Sequence, residues 1–185
     1  MAGDGGQRTT LPVGVVPAGG RSGGLPGRLV DAGQLEALVA VDERLRCFAD
    51  AGSRAALLAV TGGWPVLLER AAWLAVVLRS GRDVCGRVEA WASTAEGARA
   101  LVASTGMLAD PGVVAALELL VDYADPVTED ELTYVCSYAD PQPSGIVRTL
   151  LSSTMLRSGD RDGTWMVEPV LARAWKTLRT GHRRS

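Results

Sequence analysis

Four carboxylates crowd into seven residues, Asp125, Glu129, Asp130 and Glu131, the densest group of potential acid–base side chains in the sequence. General acid–base chemistry needs a second group to relay or receive the proton, and no second group nearby could act as their base or ligand partner. Acids gathered at the start of a helix answer equally well to the partial positive charge of its unpaired N–H groups. Asp160 and Asp162, set between Gly159 and Gly163, read as turn formers. His182 is the one histidine and sits near the end of the chain without an identifiable partner. Cys47, Cys85 and Cys136 are odd in number, far apart and lack a C-x-x-C spacing, which argues against a disulfide framework or a zinc site. Reduced, partly buried thiols in a cytoplasmic protein are expected. The chain is thus expected to be no enzyme and to hold neither metal nor cofactor of its own.

The remaining chemistry belongs to cations. Eighteen arginines and one lysine, Lys176, stand against 21 acids, for a net charge of −2 and a pI near 5.5. No global field therefore draws the chain to nucleic acid or to an anionic membrane. The candidate nucleic-acid contacts are Arg148, Arg157 and Arg161, with a small basic tail of Arg173, Lys176, Arg179, Arg183 and Arg184. From residue 111 onward there are eight basic and ten acidic residues. Neutralising even about six phosphates would require most of those cations on one face. Trp165 and Trp175 are candidate interface residues, with packing against each other as the favoured alternative.

These side chains need elements to carry them. Residues 1–30 hold most of the Gly and Pro clusters and are expected to form a flexible arm, with a weak β segment at Leu11 to Val16 and no signal-peptide pattern. From Asp31 the periodicity turns helical: Leu35, Leu38, Val39 and Leu45 fall on one face, and a helix is expected over Asp42 to Ala49. Ser53 is expected to cap the helix that follows. Thr61-Gly62-Gly63-Trp64-Pro65 ends that helix and starts the next, with Trp64 expected in the core. Val66 to Leu78 is apolar nearly all round, too short for a bilayer of about 20 residues, and is expected to be central, with Trp73 buried. Val84, Val88, Trp91, Ala95, Ala98 and Val102 trace a single seam, predicting one five-turn helix with Trp91 in the core. Asp110 and Pro111 open a helix to Tyr123; Thr128 with Glu131 forms a capping box for a helix over Glu129 to Tyr138; Ser144 is expected to cap a third, to about Ser153. Two short apolar runs around Gly159–Gly163 predict a β-hairpin, and Pro169 opens a closing helix to Leu178. The expected fold is mainly α: a helical bundle over 31–109, then a winged-helix domain over 110–185 with one small β-hairpin and a basic tail.

The segment Thr61-Gly62-Gly63-Trp64-Pro65-Val66-Leu67-Leu68, followed downstream by that winged-helix order, resembles the lid and winged-helix region of STAND-type AAA+ ATPases. Gly63-Trp64-Pro65 matches the family's G-x-P motif, Leu45 to Gly52 looks like the helix before it, and Pro126 to Leu132 looks like its second winged-helix helix. The resemblance spans roughly residues 41 to 179. It implies that Gly63 and Pro65 would meet an adenine nucleotide only if a separate nucleotide-binding chain supplied the rest of the site. The chain departs from the family in having no G-x-x-x-x-G-K-[ST] loop and no histidine between 111 and 179 to sense phosphate. The resemblance therefore implies a non-catalytic module that works through protein partners, an ATPase subunit among them, with no membrane contact. A winged-helix DNA-binding regulator is the alternative.

Overall fold

The computed structural model describes residues 29–182. The arm before residue 29, with the expected β segment at Leu11 to Val16, lies outside the described residues, as do Arg183 and Arg184. Nine α-helices and a small antiparallel sheet are found among the described residues, so the chain is mainly helical as expected.

Helix α1 (Ala32–Val41) starts at a capping box in which Asp31 Oδ1 accepts the Gln34 amide at 2.8 Å. The helix expected over Asp42 to Ala49 is instead a 3-10 turn, Glu43–Phe48. Asp42 breaks the periodicity there by taking the Arg44 amide on its side chain, a local bond that competes with helix continuation. Helix α2 (Ala51–Thr61) is capped by Asp50 rather than Ser53, whose amide is the donor. Gly62, in the left-handed region at φ 59°, ends it, and Pro65 occupies the first turn of α3 (Pro65–Leu78).

Two expectations about the bundle are corrected. Helix α3 buries Leu67, Leu68, Ala71, Ala72 and Ala75, but Trp73, Val76 and Val77 face outward, so it is not covered all round. The five-turn helix is two helices, α4 (Gly81–Ala92) and α5 (Ala95–Ser104), and Trp91 is half-buried beneath the Arg70 guanidinium at 5.1 Å. Thr94 makes the break. Its hydroxyl donates to the Trp91 carbonyl at 2.7 Å and accepts the Gly97 amide at 3.1 Å. Gly97 then lies so close to Trp91 that a β-carbon there would sit 2.1 Å from the Trp91 carbonyl oxygen. The seam matches helical spacing on both sides of the break, which is why period alone could not find it, and Ala95 ends up exposed.

The C-terminal elements follow the predicted order: α6 (Pro111–Tyr123), α7 (Glu129–Ser137), α8 (Ser144–Ser152), the hairpin β2 (Leu156–Ser158) and β3 (Thr164–Val167), and α9 (Pro169–His182). The Thr128–Glu131 capping box forms as read. Ser144 does not cap α8, whose preceding residue, Pro143, offers no side-chain acceptor. The hairpin gains a third strand, β1 (Val127–Thr128), in the sheet order β1-β3-β2 with Val127 opposite Trp165. Helix α9 lies along α5, and the buried apolar residues form one continuous core from Leu35 to Trp175.

Candidate functional site

Two places concentrate the features singled out in the sequence: the α2–α3 turn and the groove between α7 and α8. At the turn, Gly62 and Gly63 both take positive φ, at 59° and 75°. The chain entering at Val30 crosses directly over Gly63: the Val30 amide donates to the Gly63 carbonyl at 2.9 Å, and a β-carbon on Gly63 would lie 2.3 Å from the Val30 oxygen. Trp64 is in the core as expected, 1% exposed. Its indole N–H donates to Glu168 Oε2 at 2.7 Å, and the Leu171 amide donates to the same oxygen at 2.9 Å. Glu168 thus caps α9 and anchors the turn at once, 104 residues away, although no cation pairs with it among the described residues. Sequence reasoning passed over Glu168. An acid directly before Pro169 at a helix start is a capping signal that would have flagged it. Of the two residues assigned to nucleotide contact, Gly63 is buried under Val30 and Pro65 is exposed.

The second place is an open groove of about 800 Å³ lined by Glu129, Thr133, Gln142, Pro143, Ser144, Val147, Arg148, Leu151 and Ser152. It holds one cation, Arg148, and one carboxylate, Glu129, and is otherwise neutral. On the outward side of α7, Tyr134 and Tyr138 meet edge to face with centroids 5.2 Å apart and hydroxyls hydrogen-bonded at 2.5 Å. Both rings are exposed.

The other candidate cations have different surroundings. Arg179 is held on α6, with Nη1 2.5 Å from Asp122 and Nε 3.4 Å from Glu118, and the Asp122 hydrogen bond raises its pKa further. Arg157 Nη2 reaches Met166 Sδ at 3.6 Å on the facing strand. Arg161 is exposed in the hairpin turn. Arg173 and Lys176 are exposed on α9, beside a small cleft against Leu120, Val121 and Ala124 of the α6 end. Trp175 is buried with its indole N–H unpaired, Trp165 is half-buried, and no ring contact joins them among the described residues.

Burial pushes all three thiols up, Cys136 to about 11, so none is a ready thiolate. No cluster of three His, Cys, Asp or Glu side chains able to hold a metal occurs among the described residues, and none of the described helices is long and apolar enough to cross a membrane. No protein-family model matches the chain, and no curated protein or solved structure matches it significantly.

Proposed function

We propose that the chain is a non-catalytic protein-interaction module, built like a STAND-type lid and winged helix, whose α7–α8 groove receives a protein partner. The order α6, β1, α7, α8, β2, β3 with a sheet ordered β1-β3-β2 supports the winged-helix reading. The observation that carries the function is the groove lining. A surface that reads DNA aligns cations and amide side chains along its third helix and hairpin. Here the third helix, α8, offers Arg148 alone, with Glu129 on the same groove. Thr133, Pro143 and Leu151, with buried Val147 at the floor, make a neutral, half-apolar surface of the kind protein interfaces use.

An ATPase subunit is the partner class that the Gly63-Trp64-Pro65 segment favours. It would meet Pro65, since Val30 roofs Gly63. A photo-crosslinking residue placed at Thr133 or Ser152 tests the reading in cells. The expected product is a discrete polypeptide adduct, formed from Ser152 and suppressed there by Thr133→Arg at the exposed opposite wall of the groove. Adducts to nucleic acid alone, or none from either position, would contradict it. The DNA-binding alternative rests on the exposed Arg148, Arg161 and Lys176.

A further inference from the structure

The outer face of α3 is an apolar ridge with nothing covering it among the described residues: Trp73 is 57% exposed, Val76 50% and Val77 78%. Val66, Glu69, Trp73 and Val76 follow a 3-4-3 spacing, the pattern of a helix seam that meets another helix. Helices apolar on both faces are ordinarily covered. Arg44 holds the ridge in shape: its guanidinium lies 5.6 Å from the Trp73 ring centroid, and Nη1 donates to Glu69 Oε1 at 3.1 Å. Beside the ridge runs a groove of about 310 Å³, lined by Ala75, Val76 and Arg79 on one side and by Glu43, Arg44, Arg46 and Cys47 on the other. Arg79 is exposed and has no carboxylate within ion-pair distance among the described residues.

We propose that α3 packs antiparallel against α3 of a second copy of this chain, about a two-fold axis near Leu74. The charge pattern selects this occupant and this direction. Glu69 and Arg79 lie five residues either side of residue 74, about 7.5 Å along the helix axis. A two-fold there sets each Glu69 level with Arg79 of the second copy, so the same pair closes both ends of the apolar ridge. Only one oxygen of Glu69 is used by Arg44, which leaves the other for that contact. The same operation brings Trp73 level with Ala75 of the second copy, on the wall of a groove large enough for an indole. A parallel pairing would instead set Glu69 beside Glu69 and Arg79 beside Arg79. This surface is separate from the α7–α8 groove, and the inference does not depend on that groove's ligand.

Light scattering or sedimentation equilibrium on the full chain, over a concentration series, decides it. The expected mass is twice the 19.4 kDa of one chain. Val77→Glu and Trp73→Glu, both at exposed positions, are expected to give monomer with an unchanged far-UV circular dichroism spectrum. Glu69→Arg and Arg79→Glu should each weaken association about tenfold or more through like-charge contacts, and the double variant E69R/R79E should recover it. A monomer at every concentration, a dimer that Val77→Glu leaves intact, or a double variant no better than the singles would overturn the proposal.

Discussion

Trp64 and Trp73 stand nine residues apart on one continuous segment, the first 1% exposed and the second 57%. Around Trp64 the chain is closed from both directions, by Val30 over Gly63 and by Glu168 on the indole N–H. Around Trp73 a single guanidinium lies on the ring and the rest faces outward. The molecule thus encloses its apolar surface at the turn and leaves it open along α3. The Gly-Gly-Trp-Pro turn, which looks most like a ligand motif in the sequence, is enclosed at Gly63 and Trp64, whereas the helix that looks most like core is open along Trp73, Val76 and Val77.

Substitutions at the two tryptophan regions should therefore differ sharply. The largest effect is expected for Gly63→Ala, which adds a β-carbon 2.3 Å from the Val30 oxygen at a φ of 75°. A loss of about 3 kcal/mol or more, read as a lower urea midpoint at constant slope, is expected from strain of this kind. Glu168→Ala leaves the Trp64 and Leu171 N–H groups buried without an acceptor and should cost about 2–3 kcal/mol. If either variant unfolds at the wild-type midpoint, the junction is not what holds the turn. Ala124→Gly, at a left-handed helix end with φ 64°, should stabilise by up to about 1 kcal/mol. A thermal melt that moves downward would count against that backbone argument. Trp73→Ala should change monomer stability by less than about 0.5 kcal/mol, as befits an exposed site. A larger loss would mean that Arg44 and Trp73 belong to the core after all.

A pH effect is expected at α7. The Thr128 amide, donating to the Glu131 carboxylate, and then the Thr128 hydroxyl hold that carboxyl below its ordinary 4.5. A depressed folded pKa means that the stabilisation is present above the unfolded value and is lost as pH falls through the folded one. Thr128→Ala should cost about 1 kcal/mol at neutral pH but leave most of the pH dependence of this box, because the amide at residue 128 still donates to Glu131, whereas Glu131→Gln should remove that dependence. An unchanged acid-side profile in Glu131→Gln would show that the box is not coupled to folding.

Much of this architecture was legible because it is written locally. The Thr128–Glu131 box, Pro111 and Pro169 in first turns and the Gly-rich hairpin turn each act within four residues, and all were placed correctly. What escaped depends on contacts distant in sequence or on competing local bonds. Thr94 interrupts a seam whose spacing stays helical on either side. Strand β1 is two residues long and exists through pairing with β3, 37 residues later. Trp73 has the composition of core, and only the placement of Leu67, Leu68 and Ala71 inward decides that it faces out. Of the candidate contacts, Arg179 belongs by sequence to the basic tail, yet its carboxylates, Asp122 and Glu118, come from α6, 57 and 61 residues earlier. Glu168 carried a signal, acid before proline, but its partner Trp64 could not be found by spacing.

The most direct test is binding to duplex DNA over a range of salt concentrations, because each phosphate neutralised adds about −0.9 to the log–log slope. With Arg148 alone on α8 and Arg179 held by α6, the account predicts weak binding with a slope no steeper than about −2, unaltered by Arg148→Ala. A slope of about −5 or steeper that falls by roughly one unit for each of Arg148→Ala and Arg161→Ala would contradict it and establish the chain as a reader of nucleic acid.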